Sequence, residues 1–421
     1  DKDGTYGKED FKMAKNRILG LDVGSSSIKA VVAEEGQGDK VSLIYSIEKP
    51  SHGLRRGVVV DMDEAASSIN AVLQEVKNFS KGAIHNIYLN LGSSDIHSQI
   101  SRGIIAVSRA SSEIHRDDTS RAVQASEAVH LPSNRTILHT ITREFIVDGV
   151  ADIKDPLGMV GARLEVVSII IDAFDPAIKN LLKCVELAGG SVSGLIFNPL
   201  ASAQAALTKN QKELGVVMID IGYSTTGIAI YEENKLLHTT MLPIGAGHVT
   251  NDLAVALKIP VEAAEKLKIS YGYAVSKEVP ARETIDLKKI DANLKGTPSR
   301  RYIAEIIESR LTEICELINN ELRLIGKAGR LPGGVVLSGG GSKLPGVVEL
   351  FRDELKLSTQ IGLPHPEYFP AHSKDVSEFL ESPEYVTVLG LLLWGREFEP
   401  GVIRLPGFWT NIVQFMKNLL P

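Results

Sequence analysis

Short runs of β-branched and aliphatic residues alternate along the chain with stretches whose apolar positions recur every three or four residues, a pattern that predicts α/β layers built on mixed sheets. Two of the runs repeat one another. Ile18-Leu19-Gly20-Leu21-Asp22-Val23-Gly24-Ser25-Ser26-Ser27 leads into Ile28-Lys29-Ala30-Val31-Val32, and Gly215-Val216-Val217-Met218-Ile219-Asp220-Ile221-Gly222-Tyr223-Ser224-Thr225-Thr226 leads into Gly227-Ile228-Ala229-Ile230. Each copy reads as a strand, an Asp-x-Gly turn, a hydroxyl-rich tip and a second strand. Their separation is too long for a solenoid repeat and suits two duplicated domains facing one another across a cleft. A third run, Val335-Val336-Leu337-Ser338-Gly339-Gly340-Gly341-Ser342-Lys343-Leu344-Pro345-Gly346, reads as a buried strand entering a glycine-rich turn, with a helix from Val347. Between the hairpins, a strand over 100–107, a helix beginning at Asp117-Asp118 and strands over 136–147 and 163–171 form a compact α/β insert.

The end of the chain has a different pattern. Phe408, Ile412, Phe415, Met416 and Leu419 share one helical stripe with Trp409, Val413 and Leu420 beside it, and Thr410, Asn411, Gln414, Lys417 and Asn418 share the other side. A helix of about 13 residues is about 20 Å long, too short to span a bilayer but suited to lying in its interface with the aromatic face down. A terminal helix docked on the core would show the same stripe. Pro400, Gly401 and Pro406 make the preceding segment read as a linker. The first fifteen residues are polar, without the apolar core of a signal peptide or a span, and read as a disordered leader.

Composition narrows the function classes. The chain has 421 residues, about three units at roughly 150 residues each. With 43% hydrophobic and 23% charged residues it can bury a large core. Its 46 Lys and Arg against 52 Asp and Glu give a net charge of -6, which offers no cationic field for nucleic acid as a main partner. Cys184 and Cys315 fall in amphipathic helical patterns, with no disulfide framework and no metal-ligand spacing, so the body reads as soluble, with reduced thiols, in the cytoplasm.

The repeated hairpin carries the chemistry. An Asp ending the first strand places a carboxylate where a hydrated divalent cation can be held, and the Gly after it lets the chain turn tightly. Hydroxyls and N–H groups of the tip can then cradle phosphate oxygens. One Asp-x-Gly is an ordinary hairpin turn. Two copies, joined by a glycine-rich turn that admits a flat or anionic ligand at a helix N-terminus, are a constellation.

These pieces resemble the actin, heat-shock chaperone and sugar-kinase superfamily. The resemblance implies an α/β, actin-like two-domain ATPase fold with duplicated ribonuclease H-like halves, and ATP and Mg as cofactors. It assigns Asp22, Gly24, Ser25, Ser26, Ser27 and Lys29 to the first phosphate loop. Asp220, Gly222, Ser224, Thr225 and Thr226, with Gly245 and Gly247 beyond, fall to the second. Gly339, Gly340, Gly341 and Lys343 fall to the adenosine loop. Asp22 and Asp220 become water-mediated Mg ligands, and Glu265 and Lys268 the ribose and adenine contacts; by pattern alone those two are a solvated helix face. Leu195-Ile196-Phe197-Asn198-Pro199-Leu200-Ala201-Ser202-Ala203 and Tyr385-Val386-Thr387-Val388-Leu389-Gly390-Leu391-Leu392-Leu393 match the interdomain connecting helices. Where the chaperone branch has a water-positioning carboxylate, this chain has Asn198, which can orient water at most and cannot take a proton at neutral pH. Binding with weak or no hydrolysis is therefore expected.

The insert resembles the subdomain peculiar to the FtsA family of bacterial actin-like cell-division proteins. Ser51-His52-Gly53-Leu54-Arg55-Arg56-Gly57-Val58-Val59-Val60-Asp61, Tyr88-Leu89-Asn90-Leu91-Gly92-Ser93, Asp155-Pro156-Leu157-Gly158-Met159-Val160-Gly161, Leu236-Leu237-His238-Thr239-Thr240 and Pro243-Ile244-Gly245-Ala246-Gly247-His248-Val249-Thr250-Asn251-Asp252 are similar to that family. The expected division of the chain is a leader over 1–15, a first actin-like core over 16–91 and 173–212, and the insert over 92–172. A second core over 213–244 and 331–384 carries a smaller subdomain over 245–330. A connecting helix over 385–396, a linker over 397–406 and a membrane-targeting helix over 407–421 follow. By resemblance the partners are further copies in filaments, membrane lipids, other division proteins and the FtsZ C-terminal tail, the last bound near 245–330 where Arg300, Arg301 and residues 266–268 offer cations. The implied location is peripheral, on the cytoplasmic face of the cell membrane at the division septum. With Lys417 its single cation, the terminal helix would bind lipid mainly by apolar insertion, helped by avidity along a filament. Two alternatives remain open at this point: an actin-like adaptor of type IV pilus assembly, and a small-molecule kinase of the same superfamily.

Overall fold

The computed structural model describes residues 17–35, 40–108, 111–370 and 379–397. The expected leader and the expected anchor, with Phe408, Trp409, Ile412, Val413, Phe415, Met416, Leu419 and Leu420, lie outside the described residues, as does nearly all of the linker.

Two five-stranded sheets of the same plan form the body. In the first, the antiparallel strands β1 (Arg17–Val23), β2 (Ser27–Glu35) and β3 (Val41–Pro50) continue into parallel β6 (Ile87–Leu91) and β11 (Val192–Phe197), in the order β11-β6-β1-β2-β3. In the second, β12 (Val216–Ile221), β13 (Thr226–Glu232) and β14 (Lys235–Leu242) are antiparallel and β15 (Gly334–Ser338) and β16 (Thr359–Ile361) parallel, in the order β14-β13-β12-β15-β16. The continuous apolar runs of β6, β12 and β15 are buried along their whole length, as strands covered on both faces require. Register makes the duplication concrete: Asp22 pairs with Lys29 in β1/β2, and Asp220 with Gly227 in β12/β13. A two-stranded ribbon, β4 (Leu54–Arg55) and β5 (Val58–Val59), precedes α1 (Met62–Phe79), whose N-cap Asp61 accepts the Glu64 N–H at 3.0 Å.

The insert is a four-stranded sheet in the order β7-β10-β8-β9, with β7 (His97–Ala106), β8 (Arg135–Val147), β9 (Val150–Ile153) and β10 (Arg163–Phe174), packed on α2 (Arg116–Ser126). β9 departs from the sequence reading: it is short and mostly exposed, so no apolar alternation marks it. Helices α3 (Asp175–Leu187), α5 (Lys209–Leu214), α6 (Ala246–Leu257), α7 (Val261–Tyr271), α8 (Arg300–Leu324) and α9 (Val347–Leu355) complete the layers, and both cysteines are buried in α3 and α8.

The halves are joined where α4 (Asn198–Ala206) crosses α10 (Val386–Glu397). A Cβ on Gly390 would lie 1.9 Å from the Ala201 carbonyl oxygen, so only glycine permits this approach. One apolar core spans the first half, both connecting helices and the inner face of the second sheet; a second core fills the other half and a third the insert. Among the described residues no helix is long and apolar enough to cross a membrane.

Candidate functional site

Both Asp-x-Gly hairpins and the glycine-rich turn converge on one cavity of about 480 Å³. The two tips are closed alike: the Gly24 N–H donates to the Ser27 carbonyl at 3.1 Å, and the Gly222 N–H to that of Thr225 at 2.9 Å. A Cβ on Gly24 would sit 2.8 Å from the Ser27 oxygen, which explains the glycine by close approach. Across the cavity the Ser224 hydroxyl donates to Ser25 Oγ at 2.7 Å.

Each carboxylate is held by polar side chains from another element. Asn90 on β6 donates from Nδ2 to Asp22 Oδ1 at 2.6 Å and accepts the Val23 N–H on Oδ1 at 2.6 Å. Asp220 Oδ2 accepts from Ser202 of α4 at 3.1 Å and from Thr387 of α10 at 3.0 Å. Burial pushes the Asp22 carboxyl up to about 6; Lys29 pulls it down, while the negative charges of Asp220 and Glu48 add to the rise. Asp220 is also raised, by burial first, against the hydroxyls of Thr387 and Ser202 and the charge of Lys29. The Lys29 ammonium donates to Ser27 Oγ at 2.9 Å, stands 3.3 Å from the Glu48 carboxylate, and lies 5.8 Å from the centre of the Tyr385 ring. Burial works against the charged form of Glu48, but Lys29 and the Ser27 and Tyr385 hydroxyls outweigh it and hold its carboxyl below the usual range.

The third wall is the turn after β15. Gly339 has φ +80°, and a Cβ there would meet Asp220 Oδ1 at 2.4 Å, so the residue must be glycine on two counts. Lys343, in the same turn, pairs with Glu384 at 3.0 Å. On the far side, Lys268 is 8% exposed and donates to Glu265 Oε2 at 2.8 Å, to Thr250 Oγ1 at 2.8 Å and to the Ala246 carbonyl at 3.2 Å. Thr250 in turn hydrogen-bonds Glu265. Burial lowers the Lys268 pKa and Glu265 opposes the shift. These two residues are thus a knit cavity wall and not a solvated face. Val249, Ile269, Leu311, Leu344 and Pro345 give this end an apolar lining.

Of the residues singled out from sequence, Asp22, Gly24, Ser25, Ser26, Ser27, Lys29, Asn198, Asp220, Gly222, Ser224, Thr225, Glu265, Lys268, Gly339, Gly340, Gly341 and Lys343 line the cavity. Thr226, Gly245 and Gly247 stand behind it. The Thr226 hydroxyl donates to the Ile244 carbonyl at 2.8 Å, and Cβ atoms on Gly245 and Gly247 would collide with Gly222 O and the Tyr223 ring. Their role in the structure is to let α6 abut the second tip. The Asn198 amide faces Gly92, and its Oδ1 is buried without a partner among the described residues. Asn90, Glu48, Ser202 and Thr387 were not singled out as site residues. Of these, Asn90 carried a signal, as a polar residue inside a wholly buried strand. Among the cations expected to face an acidic peptide, Arg300 pairs with Glu283 at 3.0 Å and Arg301 donates to the Val279 carbonyl at 2.8 and 3.0 Å, while Lys268 belongs to the cavity; Lys266 is exposed.

Chemically the arrangement offers a half-buried and a buried aspartate beside hydroxyl-rich turns, three lysines and an apolar slot, a combination that fits a polyanion with a planar apolar end and a cation.

The family model "Cell division protein FtsA" matches residues 217–390, and the model "SHS2 domain inserted in FTSA" matches residues 93–171. A relative described as cell division protein FtsA, from Pseudomonas aeruginosa, is 35% identical over 380 residues, 90% of this chain and 89% of that protein. Among solved structures, a PilM-PilN type IV pilus biogenesis complex aligns with TM-score 0.65 at 20% identity, over 90% of this chain and 98% of the other. MreB 5 of Spiroplasma citri bound to AMPPNP aligns with TM-score 0.53 at 15% identity, over 91% and 96%. Both likenesses establish the actin-like α/β fold.

Proposed function

The chain belongs to the FtsA family of cell-division proteins, and from that premise we propose that it is an ATP-binding, actin-like protein that polymerises and anchors FtsZ, through its C-terminal tail, to the cytoplasmic face of the membrane at the septum. The observation that carries the nucleotide part is the meeting of the Asp22 and Asp220 hairpins with the Gly339 turn on one cavity, whose volume lies in the range of small-molecule sites. The MreB 5 structure, of the same fold, is bound to AMPPNP. Ser25, Ser26, Ser224 and Thr225, with the N–H groups of their turns, bind phosphate oxygens; the apolar slot beside Ile269 and Leu344 receives the base, and Glu265 and Lys268 the ribose side.

The residues present fit a magnesium ion. Asp22, half-buried, and Asp220, buried, are carboxylates whose charges oppose each other, and among the described residues no cluster of three or more His, Cys, Asp or Glu stands ready to ligate a metal directly. Those two would hold it through water. Bound there, magnesium neutralises phosphate charge. Asn198 can orient a water by its amide but accepts no proton, so the site favours binding over turnover.

The tether is assigned to residues 407–421, whose apolar stripe suits a membrane interface, and FtsZ recognition to the subdomain over 245–330. The 35% identity with an FtsA protein over most of both chains supports this reading over the kinase and pilus-adaptor alternatives. The test is co-sedimentation with liposomes and FtsZ, comparing the full chain with one lacking residues 407–421. FtsZ should pellet only with the full chain; recruitment that survives Phe408→Ala with Trp409→Ala contradicts the tether.

A further inference from the structure

His139 lies on β8, paired with Ile171 at the centre of the insert sheet, yet its ring reaches out of the insert. Its Nε2 accepts the Phe197 N–H at 3.1 Å. β11 is the outer strand of its sheet and Phe197 is fully buried, so on the free side of that strand this N–H has no neighbouring strand to meet. The insert supplies the missing acceptor. Accepting on Nε2 places the ring proton on Nδ1 and requires a neutral imidazole, and burial holds the His139 pKa down to about 4.

The next residue in the chain is Asn198, the first of α4, whose amide oxygen is buried in the cavity without a partner among the described residues. One peptide unit therefore separates a hydrogen bond from the insert and a free acceptor in the cleft. The same ring faces Trp394 of α10, with ring centres 5.6 Å apart and planes tilted by 43°, and the Trp394 indole N–H donates to the Leu200 carbonyl on α4 at 3.4 Å. Each connecting helix so carries a cleft contact and an insert contact. α4 has Asn198 lining the cavity and Ser202 donating to Asp220 from behind it, and α10 has Thr387, which also donates to Asp220.

We propose that His139 is a positioning residue: through the Phe197 N–H it fixes where Asn198 presents its amide, and through Trp394 it makes the insert respond to what the cleft holds. A backbone shift at Asn198 that brings its amide to a ligand is passed through the Cα of Phe197 to the 196–197 peptide, whose N–H is held by His139. Because α4 and α10 meet backbone to backbone at Ala201 and Gly390, a shift of one helix bears directly on the other.

The proposal rests on the nucleotide reading above, and the test separates the two. Trp394 and Trp409 are the chain's two tryptophans, so in full-length Trp409→Phe protein the emission reports Trp394 alone. Mg-ATP binding is measured by equilibrium dialysis of labelled nucleotide, and Trp394 emission is followed in the same titration. Emission is expected to change in step with binding. In that background His139→Leu weakens binding about 3- to 10-fold and removes the emission change. His139→Gln, whose side-chain oxygen can accept the same N–H, restores both to within about twofold of the parent. Binding by the parent that leaves Trp394 emission unchanged overturns the proposal whatever the variants do. So does a His139→Gln variant that melts like the parent yet behaves like His139→Leu. Absence of any nucleotide binding by the parent overturns the nucleotide reading and this proposal with it.

Discussion

Ser25 and Ser224, one at the tip of each duplicated hairpin, share a hydrogen bond of 2.7 Å across the cavity. Two halves with no contiguous sequence between their tips are thus latched at the position assigned to the phosphates. A bound phosphate must take over both hydroxyls. Ser25→Ala and Ser224→Ala should each weaken nucleotide binding about tenfold, since a hydrogen bond to a charged group contributes roughly 1.5–3 kcal/mol and the freed partner recovers part of it. The double variant should fall short of the product of the two, because each single change already breaks the shared latch. Calorimetric titration of the four proteins measures that coupling, and full additivity contradicts it.

Asp220 is tied to α4 through Ser202 and to α10 through Thr387, so its carboxylate is fixed before any ligand arrives. Asp22→Ala and Asp220→Ala should abolish measurable Mg-nucleotide binding instead of slowing a later step. Removing magnesium with EDTA should do nearly the same to the parent, because the two cleft carboxylates and a polyphosphate then repel one another. Equal affinity with and without EDTA contradicts the assignment of these residues to a cation.

Asn198 lines the cavity, and its amide accepts no proton at neutral pH. Single-turnover hydrolysis by purified protein should be slow, and Asn198→Ala should slow it further by about tenfold and weaken binding about 3- to 10-fold, as expected for loss of one hydrogen-bonding amide in the cleft. Fast hydrolysis unaffected by Asn198→Ala places the chemistry elsewhere.

The repeated hairpins were legible because the chemistry and the fold use the same residues: strand, carboxylate, glycine and hydroxyls are contiguous, and the copy at Asp220 confirms the copy at Asp22. The insert was legible for a similar reason, since the long runs in β8 and β10 carry β-branched residues throughout. What sets the two carboxylates was not legible. Asn90, Ser202 and Thr387 come from three separate elements, and only the parallel pairing of β6 with β1 and the crossing of α4 with α10 bring them to Asp22 and Asp220. Glu265 and Lys268 looked like surface charges because their i,i+3 spacing fits an exposed face. Packing of α7 against α6 turns Lys268 inward to Thr250.

Gly390 allows the backbone contact at which α4 crosses α10. Gly390→Ala gains helix propensity, roughly 1 kcal/mol, but drives a methyl into the Ala201 carbonyl, and the net loss of stability should be about 2–3 kcal/mol. Gly82, with φ -72° and nothing within 4 Å of an added Cβ, is the control. Gly82→Ala should be neutral or stabilising by a few tenths of a kcal/mol. Urea unfolding of the two variants measures the contrast, and equal midpoints contradict the close crossing.

His139 makes a contribution to stability whose sign with pH is fixed by its burial. In the unfolded chain the imidazole takes up its proton around its ordinary pKa of 6.5, whereas in the folded protein burial delays this to about 4. Between those values the unfolded state binds more protons, so this group's contribution to stability is complete above pH 6.5 and is lost as pH falls toward 4. At about 1.4 kcal/mol per pKa unit the loss is about 3 kcal/mol. Protonation would also put a donor on Nε2 against the Phe197 N–H, so the hydrogen bond and the charge fail together. His139→Gln keeps an acceptor and has no proton to gain. The variant should therefore be less stable than the parent at pH 7.5, through imperfect packing against Trp394, and should close or reverse that gap by about 2–3 kcal/mol at pH 4.5. Taking the difference between parent and variant cancels the carboxylates that titrate in the same window. Urea midpoints at the two pH values decide it: parallel shifts mean that His139 does not titrate between folded and unfolded states as its burial requires.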